Sequence, residues 1–408
     1  MTRAPSIVAL MGSRSLFGAE RANIDLLRMM QETGARVTCI VRDEDWPENI
    51  KIRQFLDGHG LDWRTCPFAS YPTWRYWRYW PSVIRENFRA ITDGNRGIKQ
   101  ICEAVEATHI HSFNPFLTFS FFPALNALAL PLIYRCGERP VDHNLIFRLI
   151  WAWLRRRIRH IGTESKYVRD LLVEKGFGLE TISVIPTPPP RRRLESLSCN
   201  FIYTTQQYNG NIFRFCFIGQ ITDFKGVKVL LDSFGKCFDI FPNSSLFIAG
   251  AVNDDWARRL EIESRGRFPE GAVRFLGHVE DVHTLLKECD VLIAPSLEPE
   301  GYGLVAVEAK QAARPSIVFA GGGLGELVED QVDGIVVQEK TDEALAEAML
   351  TYCRSPERAR ADGDRAKASL TERLATHLYA ERWRAIYDKS MPDLGSLPAK
   401  PDTRRDQA

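Results

Sequence analysis

The chain has 408 residues, with 53 lysine and arginine side chains against 52 aspartate and glutamate side chains, so its formal net charge at pH 7 is +1. This balance argues against a protein built chiefly to neutralise nucleic-acid phosphates, and no nucleic-acid partner is expected. The length exceeds what one hydrophobic core comfortably supports, which predicts two domains of about 150 to 200 residues with a cleft between them.

The first predicted elements form a strand-helix-strand unit. An apolar strand at 6–11 is followed by a loop at 12–18, a helix at about 20–33 and a second strand at 36–41. The same alternation continues with strands at 109–111, 131–134 and 160–163 and a helical run at 167–174. Alternating strands and helices predict a parallel, doubly wound sheet.

Residues 186–211 break this pattern, because prolines, arginines and then polar side chains follow one another without periodicity. We predict a linker at 196–211 between a first domain at 1–195 and a second at 212–375. Alternation resumes with strands at 215–218, 245–249, 273–276, 291–294 and 316–319. Two such domains in tandem place ligands at the carboxyl ends of both sheets, facing one another across the cleft. The polar, proline-containing residues 392–408 predict a disordered tail.

The segment at 294–309 carries the most chemistry. A buried strand ends at Ser296, a turn with Gly301 follows, and a helix-forming run starts near Gly303. Free backbone N–H groups at such a helix start can receive an anion such as a diphosphate. Glu300 lies before the helix and Glu308 in its early turns, so two carboxylates face one pocket and can accept hydrogen bonds from sugar hydroxyls. The alternative is a loop glutamate and a solvated helical glutamate beside an ordinary turn.

Several motifs of this half occur in the order and spacing that one known protein family shows. They lie at 217–220, 223–227, 275–277, 294–296, 300–308 and 321–327. Together they closely resemble the family 4 retaining glycosyltransferases of GT-B fold, over residues 212–340 and more loosely over the whole chain. The resemblance implies an α/β architecture of two facing Rossmann-like domains, with a last helix at 376–391 that returns to the first domain.

The resemblance also implies roles for individual residues. Glu300 contacts the donor sugar hydroxyls near the reacting carbon, and Glu308 binds the ribose hydroxyls. Backbone groups that meet the sugar and phosphate are those of Tyr302, Gly303 and Leu304. Lys225 holds the diphosphate and stabilises the leaving group, although a lysine after a turn can also be a plain surface residue.

The loop with Gly219 and Gln220 is implied to bind substrate, but it departs from the family pattern. The family commonly carries arginine beside this glycine, whereas Gln220 donates hydrogen bonds without charge. Leaving-group stabilisation then rests on Lys225 and the helix start, or on another basic residue. No aspartate-x-aspartate pair or His/Cys cluster has promising ligand spacing, and the family generally works without a catalytic metal. We therefore expect no metal and no cofactor, with the nucleotide diphosphate sugar as co-substrate.

The acceptor half gives weaker signals. Gly18 opens a Gly-x-Glu pattern that in the family approaches the reacting centre, although Glu20 also suits an ordinary helix start. A histidine usual after the fourth strand is missing, and the candidates to replace it are Glu138, Arg139 and His143. His111, at a strand end, is a substrate-binding candidate and equally a structural histidine.

Two stretches, 71–80 and 145–157, combine aromatic and arginine side chains. This composition suits the headgroup region of an anionic membrane, which would make the acceptor a lipid-linked saccharide at the cytoplasmic face. A buried helix with a basic end is an equal reading of the second stretch. The nine scattered cysteines without a CxxC pair, and the absence of an apolar run of about 20 residues, predict a cytoplasmic protein with reduced thiols.

The sequence therefore predicts a retaining glycosyltransferase of surface polysaccharide or glycoconjugate synthesis. It would move a sugar from a nucleotide diphosphate sugar to a hydroxyl of a saccharide or lipid-linked acceptor. A rival within enzymes is a sugar-nucleotide epimerase or hydrolase on the same fold. A rival of another class is a catalytically silent partner protein, which Gln220 and the missing histidine keep open.

Overall fold

The structure is a computed structural model. It describes residues 4–13, 16, 18–70, 80–142, 144–190, 212–252 and 255–392. The predicted linker at 196–211, the tail beyond residue 392, most of the aromatic stretch at 71–80 and His143 lie outside the described residues. The eight cysteines in the described part are free and buried.

The first domain is built on a seven-stranded parallel sheet in the order β3-β2-β1-β4-β5-β6-β7. Its strands are β1 (Ser6–Leu10), β2 (Arg36–Arg42), β3 (Asp62–Cys66), β4 (His109–Ser112), β5 (Leu132–Cys136), β6 (Ile158–Thr163) and β7 (Ile182–Val184). Helices cover both faces, so the central strands are buried throughout rather than on alternate residues.

The helices of the first domain form two layers. Helices α1 (Gly18–Glu32) and α2 (Pro47–Asp57) lie on one face of the sheet. The other face carries α4 (Asn95–Ala104), α5 (Pro115–Phe119), α6 (Phe122–Leu128), α7 (Leu145–Arg157) and α8 (Lys166–Glu174). Before α4 the chain forms α3 (Trp80–Arg89) and a π-turn (Ala90–Gly94). Side-chain caps fix where three of these begin: Asn114, Asn144 and Ser165 each accept a hydrogen bond from a first-turn backbone N–H.

The second domain repeats the design on six parallel strands in the order β10-β9-β8-β11-β12-β13. The strands are β8 (Phe213–Ile218), β9 (Ser244–Ala249), β10 (Val273–Gly277), β11 (Val291–Ala294), β12 (Ser316–Phe319) and β13 (Gly334–Val337). The helices are α9 (Val227–Ile240), α10 (Asp255–Arg267), α11 (Val282–Glu288), α12 (Leu304–Gln311), α13 (Gly322–Leu327), α14 (Asp342–Arg354) and α15 (Pro356–Arg373).

The last helix, α16 (Thr376–Lys389), leaves the second domain and packs in the core of the first. Its Trp383 and Tyr387 are fully buried there. Gly162 of β6 makes room for this helix, because a Cβ at that position would collide with the Trp383 ring.

Both sheets reverse their strand order at one point, between β1 and β4 in the first domain and between β8 and β11 in the second. Loops that leave neighbouring parallel strands in opposite directions open a crevice at such a point, where ligands of doubly wound sheets bind. The predicted pair of doubly wound domains is confirmed, and their two crevices face one another.

Candidate active site

A cleft of about 1670 Å³ separates the carboxyl ends of the two sheets. The first domain contributes the loops after β1, β4 and β5 to its wall, and the second contributes residues 224–225 and 298–304. Six predicted site residues line it, and they are Gly18, Lys225, Glu300, Tyr302, Gly303 and Leu304. The structure therefore brings most of the donor-side candidates to one surface.

An ion pair joins the two loops of the second domain at the cleft. Lys225 Nζ lies 2.7 Å from Glu300 Oε2, and both side chains are partly exposed, at 23% and 19%. The hydroxyl of Ser296 donates a hydrogen bond to the other oxygen of Glu300. Because the pair is open to the cleft on one side, either charge can exchange its partner for a ligand.

Local backbone geometry fixes the position of Lys225. The residue ends a 3₁₀ turn (Asp223–Lys225) that Gly226 terminates with a φ of 73°. A Cβ at Gly226 would collide with the carbonyl of Pro295 in the neighbouring loop. The backbone N–H of Leu297 donates to the carbonyl of Phe224 at 2.9 Å. The loops after β8 and β11 are thus held against each other, which sets the geometry of the ion pair.

The start of α12 is open to an anion. Its first residue follows Gly303, which has a φ of 103° and provides no side-chain cap. A Cβ at Gly303 would collide with Leu324, so glycine is required by both conformation and space. Uncapped first-turn N–H groups carry partial positive charge, and Leu304 places them at the cleft wall.

Glu308 lies one helical turn after Leu304, on the same side of α12, but it is not among the residues that line the cleft. Desolvation raises the pKa of its carboxyl to about 7, and Arg21 of α1 opposes this rise from the first domain. A largely enclosed carboxylate without a strong cation partner is destabilised in its charged form. Hydroxyl donors of a ligand would relieve that cost.

Gly219 and Gln220 follow β8 but do not line the cleft wall. The N–H of Gly219 donates to the carbonyl of Ala249 at 2.9 Å, and a Cβ at Gly250 would collide with the carbonyl of Gly219. Gln220 is exposed. Their role in substrate binding stays a prediction.

On the acceptor side, Glu138 faces the loop of the second domain that contains Gly301. Desolvation raises the pKa of its carboxyl, as do the charges of Glu20 and Glu164, while Arg135 and Lys225 lower it. A Cβ built on Gly301 would lie 3.0 Å from the Cα of Glu138. Glu138 therefore stands where two carboxylates and the predicted phosphate-binding lysine are all within electrostatic reach.

The other candidates to replace the missing histidine are placed differently. Arg139 bridges the domains, with its Nη1 3.0 Å from a carboxylate oxygen of Glu298. His111 is buried in the first domain, where its Nδ1 lies 2.7 Å from the hydroxyl of Tyr387. Desolvation lowers the His111 pKa to about 3, so the ring is neutral. The structure does not bring His111 to the cleft, and its position is that of a structural histidine.

Sequence reasoning missed a set of contacts that hold the domains together beside the site. The Ser165 hydroxyl donates to the Gly301 carbonyl at 2.6 Å. Glu326 accepts from the backbone N–H of Lys166 at 2.9 Å and of Tyr167 at 2.6 Å. Ser165 is recognisable in sequence as a helix cap, but its partner in the other domain is not.

In the described part of the chain, no group of three His, Cys, Asp or Glu side chains is arranged to hold a metal ion. The cleft therefore offers an ion pair, an uncapped helix start and flanking carboxylates. These features suit an anionic ligand that carries several hydroxyl groups.

The sequence model of the Glycosyl transferases group 1 family matches residues 206–369. A glycogen synthase from Mycobacterium tuberculosis is 27% identical over 240 residues, which is 58% of this chain and 55% of that protein. A D-inositol 3-phosphate glycosyltransferase from Corynebacterium kroppenstedtii is 30% identical over 157 residues, 37% of this chain and 35% of that protein. The chain thus aligns with about half or less of the length of these relatives.

Solved structures match over nearly the whole chain. The Anabaena protein Alr3699/HepE, in complex with UDP and glucose, has a TM-score of 0.75 at 18% identity and covers 94% of this chain and 100% of its own. WaaG, a glycosyltransferase involved in lipopolysaccharide biosynthesis, has a TM-score of 0.65 at 16% identity over 93% of this chain and 99% of its own. The predicted GT-B fold is confirmed, and the chain carries a group 1 glycosyl transferase domain, as the family resemblance indicated.

Proposed function

We propose that this chain, with its group 1 glycosyl transferase domain in a GT-B fold, is a retaining glycosyltransferase. It moves a sugar from a nucleotide diphosphate sugar to a hydroxyl of a saccharide or lipid-linked acceptor, in surface polysaccharide or glycoconjugate synthesis. The observation that carries the proposal is the Lys225–Glu300 pair, which opens on the cleft beside the uncapped start of α12.

Donor binding would rearrange this pair. The diphosphate takes Lys225 as its counter-ion and accepts hydrogen bonds from the first-turn N–H groups of α12. Glu300, released from the lysine, then accepts hydrogen bonds from the hydroxyls of the donor sugar. Glu308 accepts hydrogen bonds from the two ribose hydroxyls, which compensate the desolvation of its carboxylate. The donor thus replaces the Lys225–Glu300 ion pair, and it supplies partners to the uncapped helix start and to Glu308.

Charge stabilisation of the leaving diphosphate rests on Lys225 and the helix start. The other cations of the cleft wall are committed elsewhere. Arg42 donates to three backbone carbonyls, Arg135 pairs with Glu164, Arg139 with Glu298 and Lys175 with Asp142. Donors aimed at charge that develops in the transition state, in a site that closing domains shield from water, are a main source of rate enhancement. The proposed mechanism needs neither metal nor cofactor beyond the donor.

On the acceptor side, we assign to Glu138 the place of the missing histidine. Its raised pKa and its position beside Gly301 suit a group that accepts a hydrogen bond from the attacking hydroxyl. Gly18, which lines the cleft opposite Leu304, lets the acceptor approach this point. The protein acts in the cytoplasm, at the inner face of the membrane when the acceptor is lipid-linked.

The first donor to test is UDP-glucose, because Alr3699/HepE was solved with it and with UDP. The protein is incubated with UDP-glucose and then with other nucleotide diphosphate sugars, with and without saccharide acceptors. We expect acceptor-dependent release of the nucleoside diphosphate and a product whose anomeric configuration, read by NMR, matches that of the donor.

Other outcomes would overturn the proposal. Conversion of the donor sugar or its hydrolysis at the same rate without acceptor favours an epimerase or hydrolase. Donor binding without turnover under every acceptor favours the catalytically silent partner. An inverted product contradicts the retaining mechanism while leaving sugar transfer in place.

A further inference from the structure

The start of helix α8 in the first domain is completed by a side chain of the second. The first backbone N–H groups of an α-helix lack a partner within the helix. In α8 the N–H of Val168 donates to the hydroxyl of Ser165 at 3.1 Å. The N–H groups of Lys166 and Tyr167 donate to the two carboxylate oxygens of Glu326, at 2.9 Å and 2.6 Å. The cap of this helix therefore exists in full only while the two domains are in contact.

The contact between Glu326 and α8 is favourable but easily broken. The N-terminus of a helix carries partial positive charge, so a carboxylate is stabilised there. Each oxygen of Glu326 accepts from a different N–H, which an uncharged side chain with one acceptor oxygen cannot reproduce. Glu326 is exposed, so water can replace either partner when the domains separate. The contact therefore favours this arrangement of the domains without making it permanent.

The helix that carries Glu326 packs against the loop of Glu300. Helix α13 begins at Gly322, and a Cβ at that position would lie 2.6 Å from the Glu300 carbonyl oxygen. The N–H of Gly323 donates to the same carbonyl at 2.8 Å. The position of Glu326 is therefore tied to the backbone of the carboxylate that we assign to the donor sugar.

The turn before α8 lies between the second domain and the acceptor side of the cleft. The hydroxyl of Ser165 donates to the carbonyl of Gly301 in the second domain at 2.6 Å. Glu164, the residue before Ser165, lines the cleft. A Cβ at Gly137 would lie 2.5 Å from a carboxylate oxygen of Glu164, so this side chain packs against the backbone next to Glu138. A shift of the turn would therefore change both sides of the site.

We infer that Glu326 is a positioning residue for the proposed sugar transfer, because it caps α8 across the domain boundary and so aligns the loop of Glu300 with the wall at Glu138. The inference rests on the proposed function, since it names the group that brings the two halves of that site into register. Glu326 does not line the cleft, so it acts through α8 and not by contact with a substrate. Its contribution falls on the transfer step, for which both domains are needed.

The test removes the contact from each domain in turn. Glu326→Ala removes the acceptor, and Lys166→Pro removes one of the two N–H donors. Proline suits the first position of a helix, and the extended backbone of Ser165, with a φ of −140° and a ψ of 159°, suits the residue before a proline. Lys166→Ala is the matched control, because it removes the same side chain and keeps the N–H.

We expect Glu326→Ala to lower kcat for transfer by about fivefold, the effect of one exposed charge at a helix start, and Lys166→Pro by about twofold. The KM for the donor should stay at its wild-type value, because the donor contacts lie in the second domain. Lys166→Pro should slow the wild type but not Glu326→Ala, since both changes break one contact. Lys166→Ala should turn over like wild type, as should Glu343→Ala, which removes a carboxylate from the first turn of α14.

Hydrogen exchange gives a second measurement that needs no substrate. The amides of Lys166 and Tyr167 should exchange faster in Glu326→Ala than in wild type and Glu343→Ala. If their exchange is unchanged, or if Lys166→Pro slows transfer by Glu326→Ala as much as by wild type, Glu326 does not act through α8 and the glycosyltransferase stands. If exchange responds as expected but even wild type transfers sugar to no acceptor, the proposed function fails and the contact is only structural.

Discussion

The two domains share a strand order but differ in what their crevices carry. In the second domain, the loops after β8 and β11 hold an ion pair, an uncapped helix start and glycines that backbone geometry demands. In the first, the cleft is flanked instead by two carboxylates, Glu20 at the start of α1 after β1 and Glu138 in the loop after β5. Two sheets of the same topology thus place ligand-binding groups at the cleft from both sides. The residues of the loops, which differ between the domains, decide which ligand is held.

The family match follows this division, because it covers residues 206–369 and therefore the second domain. A donor with a fixed diphosphate needs a fixed set of contacts, whereas acceptors vary in chemistry. If this contrast is right, substitutions in the second domain should affect donor handling, and those in the first should affect acceptor handling.

The largest effect is expected for Lys225→Gln. Removing the cation that faces the leaving diphosphate should lower kcat by roughly 100- to 1000-fold, the range typical of a lost charge-stabilising donor. Lys228→Gln, three residues further along at an exposed pair with Asp232, is the control and should retain wild-type turnover. The rate of nucleoside diphosphate release measures the turnover of both variants. Equal rates for the two variants would remove Lys225 from the mechanism.

Glu308→Gln tests whether the donor site is built at a cost in stability. Burial raises the pKa of the Glu308 carboxyl from its ordinary value of 4.5 to about 7 in the folded protein. The folded state therefore binds the proton more tightly, and the free energy of unfolding falls as pH rises between these values. Glutamine removes this loss, which amounts to roughly 3 kcal/mol above pH 7.

Urea unfolding across this range should show Glu308→Gln and wild type equal in stability at about pH 4.5 and the variant more stable at about pH 8. The same variant should bind the donor more weakly than wild type, because the ribose hydroxyls lose their acceptor. A variant that is less stable than wild type at high pH would contradict the assignment of a desolvated carboxylate.

Gly301→Ala probes the junction between the two crevices. The new Cβ would collide with the Gly137 carbonyl of the first domain, so the contact must open at a cost of about 1 to 3 kcal/mol. We expect reduced turnover and a larger radius of gyration in small-angle scattering. Gly266→Ala, in open space on α10, should be neutral or slightly stabilising. An unchanged radius for Gly301→Ala would mean that the domains tolerate the methyl group.

The smallest effect is expected for Glu138→Gln, about tenfold on kcat/KM for the acceptor, which corresponds to the loss of one hydrogen bond from the attacking hydroxyl. Donor-induced stabilisation should be unchanged, because Glu138 belongs to the first domain. Glu174→Gln, which changes another carboxylate of the cleft wall, is the comparison. A loss of donor binding in Glu138→Gln would break the division of labour between the domains.

Sequence alone predicted the parts of this site that lie close together along the chain. The alternation of strands and helices and the run from Glu300 to Glu308 are local patterns. The Lys225–Glu300 ion pair was not predicted, since it joins loops that follow β8 and β11 and forms only when those strands are neighbours. Nor was the burial of His111, which depends on Tyr387 of the returning helix, 276 residues away.

Elements at the rim of the fold were also missed for a physical reason. Strand β3 is an edge strand, with four of its five residues partly or fully exposed, so its side chains show no apolar run. Helix α3 exposes its large apolar residues, which makes its pattern misleading about the core. Amphipathic patterns identify what an element buries only when the apolar side faces the protein.

The central claim is that the second domain binds the diphosphate and ribose of a nucleotide sugar in this cleft. Thermal unfolding of wild type, Glu308→Ala and the control Glu347→Ala, with UDP-glucose and a panel of other nucleotide diphosphate sugars, tests it most directly. At a hundred times its dissociation constant, a true donor should stabilise wild type and Glu347→Ala by about 2.7 kcal/mol, and Glu308→Ala by much less. Equal stabilisation of all three proteins, or of none by any nucleotide sugar, would contradict the account.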